Sequence, residues 1–268
     1  EVEFKVPNIV HYTWYAHHSQ PLTFKHYIGA LSASKILKPD KIFIHMNISR
    51  PAGPYWNKIL ALPNVEARNE GLPRKLLWKT LIPNETFFPQ DFSDIGRLKY
   101  LLEYGGIYLD WDVFVIQSFD DLRKYEFVVG REQEKNISYD LLSNGIIVAS
   151  KTSGFLAMWA ETFEDDYQPQ RWVYNDCFKL THLPTRFPYL LHIEQSSLHK
   201  PNWREINKIW GNETFNWKEG HYAVHNFYRF REKSAWYKAN YGAKEPNEKD
   251  VLTMNNTYAA IARWILSL

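Results

Sequence analysis

The chain has 268 residues, 45% hydrophobic and 23% charged, with a net charge of +2. Those values are ordinary for a globular protein, and a single domain spanning 1–268 is the expectation. The mild charge and the absence of a polybasic tract exclude a nucleic-acid-binding class. No apolar run approaches the roughly 18 residues that cross a membrane, and no signal-peptide pattern stands at the start.

After Pro7, Asn8-Ile9-Val10-His11-Tyr12-Thr13-Trp14 reads as a first strand. Phe24, Tyr27, Ile28 and Leu31 share one face of a helix. Lys41 to Met46 is a second strand, bounded by Pro39-Asp40, and Val65 to Arg68 a short third. This βαβ rhythm predicts an α/β fold with a mainly parallel sheet, which binds ligands beyond the carboxyl ends of its strands. Ser93 is expected to cap the next helix, with Asp94 in its first turn and Ile95, Leu98, Leu101 and Leu102 as its buried stripe. Gly105-Gly106 stops that helix. Ile107-Tyr108-Leu109 then runs as a buried strand into Asp110-Trp111-Asp112, and Val113 to Ile116 continues the extended run. Phe127 to Gly130 and Gly145 to Ala149 read as strands, Phe155 to Phe163 as an amphipathic helix, His221 to His225 as a late strand and Ala259 to Leu268 as a terminal helix. The stretch 169–216 is irregular and aromatic-rich, and no element is placed in it.

Cys177 is the single cysteine, so no intrachain disulfide forms, which fits a reducing compartment. Five Asn-X-Ser/Thr sequons, at Asn47, Asn84, Asn136, Asn212 and Asn255, point the other way, towards a secretory-pathway lumen. Aromatics make up 16% of the chain. Flat rings suit sugar stacking, though most are expected to pack the core.

Two carboxylates where a buried strand emerges are costly unless something positive meets them. On a regular strand Asp110 and Asp112 share one face, and a hard divalent cation satisfies such a pair while leaving positions for phosphate oxygens. The triplet alone equally fits a loop pair accepting backbone hydrogen bonds. Its context adds Asp94 and Arg97, at i and i+3 on the preceding helix, which suit sugar hydroxyls and phosphate or form a surface ion pair. A phosphohydrolase strand also ends in Asp-X-Asp, but that pattern wants Thr or Val four residues after the first Asp, where Phe114 stands.

The run Ser93-Asp94-x-x-Arg97-x-x-x-Leu101-x-x-x-Gly105-Gly106-x-Tyr108-x-Asp110-x-Asp112 resembles the signature of the glycosyltransferases with the DXD sugar-binding motif. That family includes the yeast-type α-1,6-mannosyltransferases, the animal α-1,4-galactosyl- and α-1,4-N-acetylglucosaminyltransferases and, more distantly, the clostridial glucosylating toxins. Pro7 to Trp14 resembles the family's opening strand and Ser143-Asn144-Gly145 its later Ser-Asn-Gly element; past Gly154 the likeness fades, apart from His225.

The resemblance implies a GT-A, Rossmann-like fold, with 1–150 as nucleotide-sugar-binding core and 151–268 as acceptor-side and closing elements. It implies a retaining transfer from a nucleotide sugar, UDP-linked by preference with GDP-mannose open, to a glycan or other hydroxyl, dependent on Mn2+ or Mg2+. Asp112, Asp110 and His225 would hold the metal; Asp94, Arg97, Asp110 and Asn144 would act on the donor sugar; Trp14, with Tyr12 and Trp111, would lie at the nucleotide. His225 is otherwise a satisfied strand histidine and Trp14 a core residue. A Golgi or lumenal setting follows, with a membrane anchor before Glu1 as in Golgi relatives. The chain departs from its relatives after His225, where Asn226-Phe227-Tyr228-Arg229 replaces a Gly-Ser-Trp-like turn. Arg229, Arg231 and Lys233 there either meet the diphosphate or form a solvated basic face. The alternative function is a catalytically inactive binder of glycans or nucleotide sugars on the same fold.

Overall fold

The computed structural model describes residues 3–16, 20–84, 86, 88–132, 141–171 and 173–268. Asn136 and Trp172 lie outside them. Strand β1 (Ile9–Trp14) is the axis of the fold. It pairs in parallel with β2 (Lys41–Met46), which pairs in parallel with β3 (Val65–Asn69). On its other side β1 pairs in parallel with β4 (Gly106–Leu109). Beyond β4 come β7 (Leu142–Ala149), antiparallel to both its neighbours, then β6 (Phe127–Arg131) and β8 (His192–Glu194), which pair in parallel. The seven-stranded order is β3-β2-β1-β4-β7-β6-β8. The expected mainly parallel α/β sheet is therefore present.

Alternation along β1 sends Val10 and Tyr12 into one core layer, shared with Leu22, Ala30, Trp56 and Ile59. Ala30 belongs to helix α1 (Phe24–Ser32), and Trp56 and Ile59 to α2 (Tyr55–Leu60). The opposite face meets Ile95, Leu98 and Leu101 of α3 (Gln90–Tyr104) and Phe155, Leu156 and Trp159 of α4 (Gly154–Asp165). A third cluster joins Phe114, Val224 and Trp210 to the C-terminal helix Thr257–Ser267. Among the described residues no helix is long and apolar enough to cross a membrane.

Two local expectations change. Ser93 does not cap α3: the helix begins at Gln90, directly after Pro89, and the Ser93 N–H already donates to the Pro89 carbonyl at 3.0 Å. The Ser93 hydroxyl instead meets those of Thr13 and Tyr108, tying helix to sheet. Asp110 to Ile116 is not one continuous strand either. The Val113 N–H closes a turn onto the Asp110 carbonyl at 3.1 Å, and β5 (Val113–Val115) leaves the main sheet to pair with β9 (Ala223–His225). A hydrogen-bonded turn satisfies backbone groups that a strand at this point would leave unpaired.

Gly105 and Gly106, at φ +66° and +116°, make the reversal from α3 into β4. A Cβ at Gly106 would stand 2.4 Å from the Ile9 carbonyl oxygen, so β1 and β4 pack together only over a glycine here. His11 reinforces the reversal: its Nε2 lies 2.8 Å from the Gly105 carbonyl, and its Nδ1 lies 3.0 Å from His45 Nε2. The strand order reverses between β1 and β4, which run in parallel, and this leaves a crevice at their carboxyl ends.

Candidate active site

Four elements deliver side chains to that crevice. Helix α3 supplies Asp94 and Arg97, one turn apart on one face. The turn after β4 supplies Asp110 and Asp112. Strand β7 supplies Asn144, because its antiparallel register sets Ile146 opposite Leu109 and lets the Asp110 N–H donate to the Gly145 carbonyl at 2.8 Å. Strand β9 supplies His225, opposite Val113. The turn thus turns two acids towards a histidine more than a hundred residues away, at |i−j| = 113.

Arg97 is 5% exposed and fully engaged. Its Nη2 lies 3.0 Å from Asp94 Oδ1 and 3.6 Å from Asp110 Oδ1; its Nη1 donates to the Asn144 carbonyl at 2.7 Å. Tyr108 donates its hydroxyl to Asp110 Oδ1 at 2.9 Å. His225 Nε2 is 3.0 Å from Asp112 Oδ1 and 3.9 Å from Asp110 Oδ2, and the Tyr228 N–H donates to Asp112 Oδ2 at 2.9 Å. Burial pushes the Asp94 carboxyl well above the usual range, and the neighbouring Asp176 adds to this against the opposing Arg97. Asp110 is likewise raised by burial, with Arg97 and His225 opposing. Asp112 is the exception: burial is outweighed by the charge and hydrogen bond of His225, by Lys25 and by the Tyr228 N–H, which hold its carboxyl below the usual range. His225 is raised in turn because Asp112 outweighs its burial.

One ligand atom each from Asp110, Asp112 and His225 lies within 4.8 Å of the others. Two hard carboxylate oxygens and a neutral imidazole nitrogen form a donor set that Mn2+ or Mg2+ accepts. The approach needs a glycine on β7: a Cβ at Gly145 would stand 2.9 Å from both Asp110 Oδ2 and His225 Cε1.

A cavity of about 900 Å³ opens over this cluster. Sequence reasoning missed several of its walls. Asp176, buried, accepts from Asn144 Nδ2 at 3.2 Å, and the same nitrogen donates to Asp94 Oδ1 at 3.0 Å. Cys177 Sγ lies 3.6 Å from Asn144 Oδ1. Both come from the unplaced stretch 169–216, where no periodic pattern announced them. Of the tryptophans in and just after that stretch, Trp203 lines the cavity, whereas Trp210 and Trp217 are core residues. Arg229 also lines it; Arg231 is buried and donates to the Ala243 carbonyl at 2.7 Å.

Of the expected nucleotide contacts, Trp14, Tyr12 and Trp111, none is among the residues that line this cavity. Trp14 is partly buried and meets His26 and Trp111 edge-on, at 5.0 and 6.1 Å between ring centroids. Tyr12 is fully buried, stacked on Trp111 at 4.4 Å, and donates to the Gly29 carbonyl at 3.3 Å. Trp111 donates its indole N–H to the Thr13 carbonyl at 2.8 Å, which braces the turn between the two acids.

Residues 29–128 match the model of the glycosyltransferase sugar-binding region containing the DXD motif. The chain is 27% identical over 241 residues to glucan organizing enzyme 1 of Cryptococcus neoformans var. grubii, covering 82% of this chain. It spans 62% of that relative's length. Among solved structures it is similar to the PaToxG glycosyltransferase, with a TM-score of 0.47 at 16% identity over 97% of this chain and 87% of that one. It is also similar to the galactosyltransferase LgtC solved with donor and acceptor sugar analogues, with a TM-score of 0.42 at 13% identity over 82% and 87%. The matched region contains Asp94, Arg97, Asp110 and Asp112, so the chain is similar to the DXD glycosyltransferases over the stretch that builds this site.

Proposed function

We propose that the protein is a retaining, metal-dependent transferase that moves a hexosyl or N-acetylhexosaminyl group from a nucleotide sugar, UDP-linked by preference, to a hydroxyl of a glycan acceptor. The observation that carries this is the meeting of Asp110, Asp112 and His225 at the floor of one large cavity. Asp110, Asp112 and His225 would hold a divalent cation, which when bound neutralises charge growing on the departing diphosphate.

The chain's own groups do the rest. Asp94 and Asn144 accept and donate hydrogen bonds to hydroxyls of the donor sugar, and Arg97 keeps Asp94 and Asp110 in place. The acceptor oxygen forms its bond to the anomeric carbon as the bond from that carbon to the phosphate oxygen breaks. The acceptor's proton passes to the departing phosphate oxygen on the same face, which retains the anomer. Positioning is the enzyme's main contribution. Under this reading 1–150 binds the donor and 151–268 builds the acceptor side, since Phe178, Trp203 and Phe230 line the same cavity. Trp14 and Trp111, both partly exposed, form the nucleotide end; Tyr12 is a core residue that backs Trp111 and does not reach a ligand, contrary to the sequence expectation. A lumenal setting agrees with exposed sequons at Asn212 and Asn255.

The test is a nucleotide-sugar consumption screen with and without Mn2+, on the wild type and Asp112→Ala, with the product anomer read by proton NMR. Metal-dependent use of one donor, lost in the variant and giving an α product from an α donor, supports the proposal. Turnover that ignores both metal and Asp112 overturns it, and a β product overturns retention.

A further inference from the structure

We propose that His199 is a positioning residue for His225: it accepts the Nδ1–H of that ring and so turns the Nε2 lone pair towards the cation. The inference rests on the metal reading given above, and it concerns a residue outside the matched family region.

His199 is fully buried, yet among the described residues it makes a single polar contact, Nδ1 to His225 Nδ1 at 3.3 Å. Its Nε2 has no partner among them. The two rings meet edge-on at 63°, with centroids 5.4 Å apart. A buried polar atom left unpaired costs about 1–3 kcal/mol, which an apolar side chain of the same shape would avoid. The fold also makes room for this ring. A Cβ at Gly130 would stand 2.3 Å from His199 Cδ2, and β6 slips its register between Val129 and Gly130. The Ser197 carbonyl accepts from the N–H groups of Tyr222 and Ala223, at 2.9 and 3.2 Å, which pins the His199 segment beside β9. A polar ring that is costly to bury, and is accommodated by a glycine, is explained by its one contact.

That contact has two proton arrangements. With His225 protonated at Nε2, that N–H donates to Asp112 Oδ1 at 3.0 Å, and His199 donates its own Nδ1–H to His225. No lone pair then faces the acids. When Nε2 ligates a cation, the remaining proton of His225 must sit on Nδ1, and His199 must accept it with its own proton on Nε2. Both arrangements keep the N···N hydrogen bond, so the histidine pair exchanges tautomers without moving either ring. Any apolar neighbour would leave the Nδ1–H of a metal-bound His225 unpaired.

The experiment is Mn2+ binding to the nucleotide-free protein, by calorimetry and by electron paramagnetic resonance of free Mn2+. Wild type, His199→Phe, His199→Asn and Asp112→Ala are compared, with folding checked by thermal unfolding in chelator. Asn places an oxygen acceptor where Nδ1 stands; Phe keeps the shape and removes the acceptor. The expected result is a 10- to 100-fold weaker Kd for His199→Phe, in the range of lost outer-shell partners, and recovery of most of it in His199→Asn. A wild-type Kd in His199→Phe, beside lost binding in Asp112→Ala, overturns the role of His199 and leaves the metal site standing. Unchanged binding in Asp112→Ala overturns the metal reading itself, and this inference with it. Should His199→Phe not fold, His199→Asn decides: retained affinity supports the acceptor role, and lost affinity in a folded protein overturns it.

Discussion

Arg97→Met keeps the aliphatic shaft of the side chain and removes the guanidinium. Its loss strands Asp94, 3.0 Å away, and Asp110, 3.6 Å away, and removes the donor 2.7 Å from the Asn144 carbonyl. Removing one partner of a buried ion pair typically costs about 3–5 kcal/mol, because the remaining charge is uncompensated. The loss is capped by an escape route: either carboxyl can take up a proton. Burial already pushes both above the usual carboxylate range, while Arg97 opposes the shift. Without Arg97 both rise further, and the variant's native state binds protons that its unfolded chain does not. Stability then falls as pH rises through those raised values, so the deficit relative to wild type grows with pH. Urea denaturation at pH 5 to 8 is the assay, on wild type, Arg97→Met and Arg97→Met/Asp94→Asn. The expected deficit is about 3–5 kcal/mol at pH 8, smaller at pH 5, and partly regained in the double variant. A deficit below about 1 kcal/mol, or one flat across pH, would refute the idea that Arg97 neutralises a buried acid cluster.

Gly145→Ala adds a methyl 2.9 Å from Asp110 Oδ2 and His225 Cε1. It should abolish Mn2+ binding at a stability loss of about 1–3 kcal/mol, read by calorimetry and denaturation. Asp91, raised from 3.8 to about 6 by burial and then by Asp176, contributes stability below its unfolded value that is lost as pH rises through about 6. Asp91→Asn should therefore flatten the stability profile between those values, as followed by thermal unfolding across pH. Glu164 is 1% exposed and accepts from the N–H groups of Leu77, Trp78 and Lys79 at 3.1, 3.1 and 2.7 Å. Glu164→Gln weakens these charge-assisted bonds, and hydrogen exchange at those amides should speed up by roughly tenfold or more, given about 1.5–3 kcal/mol per charged hydrogen bond.

What the sequence made legible was what repeats. Period-two strands such as Ile9–Trp14 and Lys41–Met46 stand within a residue of where patterning sets them, and the stripe of Ile95, Leu98 and Leu101 lies in α3 as read, although that helix starts four residues before the expected point. The spacing from Asp94 to Asp112 was legible for the same reason, since one helix, one glycine reversal and one short strand leave no freedom between them. Strand β8 was not legible, because three residues carry no period and exist as a strand only against β6. Asp176 was hidden likewise, in a turn of π-helix whose place depends on contacts with β7, through Asn144 and through Leu142, whose N–H donates to Thr181 Oγ1. The turn between Asp110 and Asp112 misled because Val113-Phe114-Val115 is a genuine strand sequence. Its partner, β9, lies more than a hundred residues later in the chain, and only the fold says which sheet it joins.

The acids of the cavity bear on how an anionic donor could enter it. Asp91, Asp94, Asp110, Asp112, Glu132 and Asp176 line it, against Arg97, Arg171 and Arg229. Arg97 is already committed to Asp94, Asp110 and the Asn144 carbonyl, so it brings little free positive charge to a ligand. A diphosphate approaching this surface meets repulsion that a low-dielectric wall strengthens. The arrangement is economical only if the acids are matched by a cation that stays with the diphosphate. Affinity for donor and affinity for cation are then coupled, each raising the other by the same factor, as linkage requires. The same acids, once so matched, are free to face the sugar hydroxyls as hydrogen-bond acceptors. Under the proposed function, a site hostile to the bare nucleotide would thereby become selective for its metal complex, through residues that the turn after β4 and the register of β7 bring together.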